Sequence, residues 1–112
     1  MKARIPQGAG GAGNMNQMMQ RMQKMQEEMT RAQAELEGKV YHVSAGGGNI
    51  EVEINGKKEI TAVILKPEVV DPEDIEFLQD LIREGVNEAI RACNADAEQT
   101  IGAITGGLDL GL

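Results

Sequence analysis

The sequence predicts an α+β fold in which a long N-terminal helix is followed by a three-stranded antiparallel meander and a long C-terminal helix. Three observations lead to this prediction. Apolar residues alternate at spacings of three and four between residues 15 and 36, which is typical of a helix with a heptad seam. Between residues 40 and 65 the apolar period becomes two, as it does in strands. From residue 75 a helical period returns.

The first helix is predicted to run from about Met15 to Glu37, a length of about 35 Å. Asn14 is a favourable N-cap residue, and Gly38 suits the left-handed position that commonly follows a helix. The seam consists of Met15, Met18, Met22, Met25, Met29, Ala32 and Leu36. A domain of 112 residues is too small to cover so long a helix, so we expect the seam's methionines to contact a second copy of the chain. The alternative, which the regular spacing favours less, is a peptide-binding groove.

The three predicted strands cover residues 39–45, 49–55 and 59–66. Asn55-Gly56 is a strong signal for a hairpin turn between the second and third strands. A three-residue loop that pairs Val52 with Ile60 keeps the apolar side chains on one face, so we prefer this register. The apolar phase of the third strand slips between Ile60 and Val63, which predicts a β-bulge.

The second helix is predicted to begin with Asp71 as its cap and Pro72 as its first residue. Its apolar stripe consists of Ile75, Leu78, Leu81, Ile82, Val86, Ala89, Ile90 and Cys93. Gly85 interrupts this stripe and predicts a close crossing over another element. The helix is predicted to end between residues 98 and 100.

Glycine-rich segments flank these elements. At the N-terminal end, Gly8, Gly10 and Gly13 match the G-x-G-x-x-G pattern of dinucleotide-binding loops. Such a loop follows a strand in a βαβ unit, and only seven residues, including Pro6, precede Gly8. We therefore interpret residues 1–13 as a disordered arm, residues 14–101 as the α+β domain and residues 102–112 as a flexible glycine-rich tail.

Side chains that carry catalysis or bind metals are scarce. His42 is the only histidine and Cys93 the only cysteine, and no partner groups stand at a useful spacing from either. Aromatic residues make up 2% of the chain, which excludes a stacking platform for single-stranded nucleic acid. We expect no enzymatic activity, no metal and no cofactor. No apolar run is long enough for a membrane span, which predicts a cytoplasmic protein.

The charge of the chain is divided unevenly along its length. Residues 1–66 carry nine Lys and Arg against seven Asp and Glu, a net of +2, whereas residues 67–112 carry two against eleven, a net of -9. If the chain binds a polyanion, we therefore expect the N-terminal half to contact it. Arg21, Lys24 and Arg31 lie off the methionine seam on one flank of the first helix. Their two interpretations are phosphate contact and a solvated face with local pairs such as Glu27 to Arg31.

Four segments carry a resemblance to a known family. They are "NMNQMMQRMQKMQEEMTRAQAEL", "GGGNIEVEINGKKEI", "LKPEVVDPEDIEFLQDLIREGVNEAI" and "GGLDL". In this order and spacing the sequence resembles the YbaB/EbfC family of small bacterial nucleoid-associated proteins. The resemblance implies an α+β homodimer with joined sheets and projecting helical arms, which binds double-stranded DNA in the nucleoid with low sequence specificity and organises or regulates the chromosome.

The resemblance also directs the choice of site residues. The expected DNA-contacting residues are Arg21, Lys24 and Arg31, then Arg83 and Arg91 on the second helix, with Lys2 and Arg4 on the arm as further candidates. The expected dimer interface is Met15, Met18, Met22, Met25 and Met29. The family's genes often neighbour genes for a clamp-loader subunit and a recombination mediator, which suggests recombination or replication proteins as partners. The alternative function is a dimeric protein-interaction scaffold in repair or replication with incidental DNA binding.

Overall fold

The structure, a computed structural model, describes the backbone of residues 4–109 and the side chains of residues 14–106. Its elements are α1 (Arg4–Glu37), β1 (Val40–Ala45), β2 (Ile50–Asn55), β3 (Ile60–Leu65) and α2 (Ile75–Asp109). Short 3-10 turns follow β1 and β3, at Gly46–Gly48 and Pro67–Val69. The predicted order of helix, three-stranded antiparallel meander and helix is confirmed. Within this part of the chain, neither helix is long and apolar enough to cross a membrane.

Helix α1 ends at the predicted residue, Glu37, but its start and the conformation that follows its end differ from the prediction. It begins at Arg4 rather than near Met15, because a helix that has already nucleated gains one hydrogen bond for each residue added to it. Gly38 does not adopt the predicted left-handed conformation. The helix instead tightens at its end, where the Gly38 amide donates to Glu35 O at 3.2 Å and the Lys39 amide to Leu36 O at 3.1 Å. The division into arm, domain and tail stays a prediction.

The three strands pair in the order β1-β2-β3, and the predicted register of the hairpin is wrong. Val52 pairs with Val63 rather than with Ile60. The pairing shifts by one residue between Glu53, which faces Ala62, and Ile54, which faces Ile60. The predicted bulge between Ile60 and Val63 is thereby confirmed.

The side chain of Asn55 explains the observed loop. Its Oδ1 accepts hydrogen bonds from the amides of Lys57 at 2.9 Å and Glu59 at 3.1 Å. Lys58 takes a left-handed conformation with a φ of 66°. The loop therefore spans residues 56–58, one residue later than the loop that the sequence favoured.

Helix α2 begins at Ile75, so Asp71 is not its cap. Asp74 takes that role, because its Oδ1 accepts a hydrogen bond from the amide of Phe77 at 3.3 Å. Asp71 instead closes the preceding turn by accepting from the amide of Glu73 at 3.0 Å. The helix extends to Asp109, past the predicted end near residue 100.

The core lies between α2 and one face of the sheet. From β2 it contains Ile50, Val52 and Ile54, and its other buried members are Val69, Leu81, Ala89 and Cys93. Gly85 crosses β2 closely, since an added Cβ would lie 2.8 Å from Ile50 Cδ1 and 3.1 Å from Val52 Cγ2. The close crossing predicted from Gly85 is confirmed, and so is the burial of Cys93.

Candidate nucleic-acid interface

Three cations line one flank of α1. Arg21, Lys24 and Arg31 are all exposed, and their separations of three and seven residues place them on the same side of the helix. They span about 15 Å along the helix axis. No carboxylate among the described side chains lies within ion-pair distance of any of them, so the pair considered between Glu27 and Arg31 is absent. We call these three residues the basic flank.

Carboxylates on the same side of α1 reduce the field of the basic flank. Glu27 and Glu28 stand between Lys24 and Arg31, and Glu35 follows Arg31 by one turn. Glu28 is half-buried. The flank therefore carries three cations and three nearby anions, so its attraction for a polyanion is weak and salt screens it readily.

The two arginines of α2 are differently placed. Arg83 Nη2 lies 3.2 Å from Asp80 Oδ1, and Arg91 Nη2 lies 2.8 Å from Glu88 Oε2. Both pairs lie on an exposed face of α2 that also carries Glu76 and Glu84 at spacings of four residues. Each arginine already has a carboxylate partner, so these two residues are weaker candidates than the basic flank. Lys2 and the side chain of Arg4 lie outside the described residues.

The methionine seam divides into two parts. Its N-terminal part is open, with Met15 64% exposed and Met18 and Met22 each 60% exposed. Its last residues, Ala32 and Leu36, are buried within the chain's own fold, and Met25 and Met29 are half-buried between these parts. The open part remains a predicted interface.

A further apolar surface lies beside β3, and the sequence reasoning missed it. Helix α2 crosses the sheet over β1 and β2. On the same face of the sheet, Ile60 and Val63 of β3 stay exposed, at 39% and 45%. Val63 pairs with Val52, so it points to the side on which the core lies.

Helix α2 also carries exposed apolar side chains beside its core-facing stripe. Ile82 and Ile90 directly follow the buried residues Leu81 and Ala89, so both lie on the same side of that stripe. Both are exposed. We call Ile60, Val63, Ile82 and Ile90 the β3 notch.

A polar cluster joins β1, α2 and the end of α1. Lys39 Nζ lies 2.8 Å from Asp96 Oδ2, and the Tyr41 hydroxyl donates to the same oxygen at 2.7 Å. The hydrogen bonds from Lys39 and Tyr41 hold the pKa of the Asp96 carboxyl below its usual range. Burial, assisted by the hydrogen bond to Asp96, raises the pKa of Tyr41 to about 12. We call Lys39, Tyr41 and Asp96 the junction cluster.

We expect the folded protein to lose stability as the pH rises from about 10 to about 12. The unfolded phenol ionises near its ordinary pKa of 10.0, whereas the folded Tyr41 keeps its proton to about 12. Alkali therefore favours the unfolded state through this interval. Tyr41 is the only tyrosine, so the ultraviolet absorbance of tyrosinate reports on it alone. An absorbance midpoint at pH 10 in the folded protein would contradict the half-buried hydrogen bond from Tyr41 to Asp96.

The outer face of the sheet offers no catalytic arrangement. His42 Nε2 lies 3.4 Å from Glu53 Oε1, and both side chains border a shallow hollow of about 240 Å³. The histidine is largely exposed. Among the side chains that are described, no three or more His, Cys, Asp or Glu residues group closely enough to hold a metal ion.

Comparison with known proteins places the chain in a family. The sequence profile of the YbaB/EbfC DNA-binding family matches residues 11–108. A nucleoid-associated protein of Alkaliphilus metalliredigens is 52% identical over 84 residues, which cover 75% of this chain and 74% of the relative. One of Ruminiclostridium cellulolyticum is 52% identical over 82 residues, which cover 73% and 71%.

A solved structure supports the same fold. The crystal structure of an uncharacterized protein from Helicobacter pylori matches with a TM-score of 0.58 and 19% identity. The match covers 70% of this chain and 90% of that protein. The α+β architecture is thus one that has been observed in a crystal. Since the family profile matches nearly the whole sequence, the chain belongs to the YbaB/EbfC DNA-binding family.

Proposed function

We propose that the protein is a nucleoid-associated protein that binds duplex DNA as a homodimer, with low sequence specificity, through phosphate contacts made by the basic flank. The observation that carries the proposal is the row of three exposed cations on α1 that have no carboxylate partner among the described side chains. Its relatives are named nucleoid-associated proteins, which supports the nucleoid as its location. The family is one of DNA-binding proteins and not of enzymes.

Phosphate contact accounts for low specificity. Lys and Arg contacts to phosphate fix a protein on the duplex but carry no sequence information. The acidic residues of α2, such as Asp80 and Glu84, repel the phosphate backbone of the DNA. They therefore confine DNA contact to the basic flank of α1. The resulting binding is weak and depends strongly on salt.

Dimerisation is supported by the β3 notch. Its isoleucines and valine form an apolar surface at the edge of a small sheet, where a second copy can place the same surface by two-fold symmetry. Burial of apolar area contributes about 25 cal/mol for each Å² removed from water. A homodimer also presents two basic flanks, so the duplex meets six cations rather than three.

We expect the replacement of Arg21, Lys24 and Arg31 by Ala to abolish most duplex binding. Six phosphate contacts per dimer give a log-log salt slope of about -5, and the triple variant should bring the slope close to zero. Duplex affinity at low salt should fall by at least about 100-fold. A gel-shift titration at two salt concentrations measures both quantities.

A control for net charge is available in the hairpin loop and directly after β3. Lys57, Lys58 and Lys66 are also exposed, and their replacement by Ala removes the same charge. This control should bind the duplex nearly as the parent does. If both triple variants lose affinity equally, general charge attraction governs binding and the assignment to α1 is wrong.

The second candidate is a dimeric protein-interaction scaffold for repair or replication proteins. The exposed acidic face of α2, with Glu76, Asp80, Glu84 and Glu88 at intervals of four residues, favours it. If the parent does not bind duplex DNA even at low salt, this candidate replaces the first.

A further inference from the structure

The junction cluster stands where three segments meet. Lys39 follows the end of α1, and its backbone oxygen accepts a hydrogen bond from the Gly56 amide at 2.9 Å in the hairpin loop. Asp96 lies in the turn of α2 that follows Cys93, the last buried residue among the side chains of that helix that are described. The cluster therefore sits at the point where both helices leave the sheet.

The geometry points to a positioning role: we propose that Lys39, Tyr41 and Asp96 fix the direction of α1 relative to the sheet and thereby place the basic flank against the duplex. The proposal rests on the DNA-binding function proposed above. One carboxylate oxygen receives both donors, at 2.8 Å from the ammonium and 2.7 Å from the phenol. Hydrogen bonds to an ionised acceptor are about twice as strong as neutral ones.

Helix α1 contacts α2, so a polar link that holds α2 on the sheet also holds α1, and few other side-chain contacts could replace it. Within the described residues, the only other side-chain hydrogen bond between α2 and the sheet is the weak one from Cys93 Sγ to Asn55 O, at 3.6 Å. The phenol ring of Tyr41 has only two rotatable bonds and is half-buried, so it holds Asp96 more firmly than Lys39 can. Loss of the phenol hydroxyl should therefore weaken the junction cluster without leaving a cavity in the core.

Distance along α1 amplifies any change at the joint. Arg31 lies about 12 Å and Arg21 about 27 Å from Lys39 along the helix, at 1.5 Å per residue. A swing of about 10° at the joint displaces Arg21 by about 5 Å. This exceeds the rise of about 3.4 Å per nucleotide along one strand, so the flank would lose its match to successive phosphates.

Two variants and one matched control test the proposal in the full-length protein. Tyr41→Phe removes one hydrogen bond and changes no charge at neutral pH. Asp96→Asn removes the shared acceptor. Glu88→Gln is the control, because it removes the same charge as Asp96→Asn from the same helix and breaks only the local pair with Arg91. Small-angle X-ray scattering measures the distribution of arm positions without DNA, and a gel shift on a generic duplex at two salt concentrations measures contact.

We expect the distance distributions from scattering to broaden toward larger distances for Tyr41→Phe and Asp96→Asn. Glu88→Gln should keep the distribution of the parent. The salt slope should become shallower by about 1 to 2 phosphate contacts, and duplex affinity at moderate salt should fall about tenfold. For Asp96→Asn, this loss of duplex affinity is opposite to the gain in affinity that removal of a negative charge alone would produce. A variant that only destabilised the fold would bind less DNA, because less of it is folded, but its salt slope would be unchanged.

Unchanged scattering in both variants overturns the proposal. So does a salt slope that stays at the parental value in both variants while the parent itself binds DNA. The proposed function fails differently, through a parent that does not bind the duplex. In that case the scattering comparison still decides whether the cluster directs the arm.

Discussion

We expect Gly56→Ala to lower the free energy of unfolding by more than about 3 kcal/mol. An added Cβ at this position would overlap the carbonyl oxygen of Leu36 and lie 2.5 Å from its carbon and 2.9 Å from the Cα of Glu37. All of these are backbone atoms of α1, so no flexible side chain can move aside. Urea denaturation followed by circular dichroism, at one protein concentration, measures the loss.

Two other glycines provide graded controls. Gly102 lies in α2 with no atom within 4 Å of an added Cβ, so Gly102→Ala should stabilise the protein by up to about 1 kcal/mol. An added Cβ at Gly85 meets only side-chain methyl groups of Ile50 and Val52, which can shift, and a loss of about 1–3 kcal/mol is expected. If Gly56→Ala costs no more than Gly85→Ala, the end of α1 does not pack on the hairpin loop as described.

The meander could be predicted from sequence because alternation over short runs is a local property. Its register could not, since the deciding features are the two amides held by the Asn55 side chain and the left-handed backbone of Lys58. The Asn-Gly signal gives the place of the turn but leaves the loop length open. The bulge was visible because the apolar phase of β3 changes within the strand itself.

Helix ends were harder to predict for a related reason. Asp71 and Asp74 are both suitable caps, and only the backbone shows that the first closes a turn while the second begins α2. At the other end, Ile101 and Ile104 are half-buried and continue the helix past the predicted stop. Propensity alone does not include packing of this kind.

The basic flank could be identified from spacing, whereas other features of the candidate site depend on tertiary structure. The ion pairs of Arg83 and Arg91 could have been predicted from the sequence, because Asp80 and Glu88 precede them by three residues. The β3 notch could not be predicted in this way, since its exposure depends on which strands α2 covers. The junction cluster joins residues 57 positions apart, a separation that no local pattern reports.

We expect Val63→Glu to dissociate the proposed homodimer. Two-fold symmetry would bring the new carboxylate into the interface twice, and an unpaired charge in an apolar contact costs several kcal/mol. The dimer dissociation constant should rise by at least about 100-fold, since each 1.4 kcal/mol is a factor of about ten. Analytical ultracentrifugation at micromolar concentration measures this change.

The neighbouring residue of the same strand is the matched control for this prediction. Ile64 is 58% exposed, more than Val63, but it points to the opposite face of the sheet. Ile64→Glu adds the same charge to β3 and should leave a dimer. Because a monomer offers three cations rather than six, Val63→Glu should also reduce the salt slope of DNA binding from about -5 to about -3. If Ile64→Glu dissociates the protein and Val63→Glu does not, the copies meet through the outer face of the sheet, and the two basic flanks cannot be arranged as proposed.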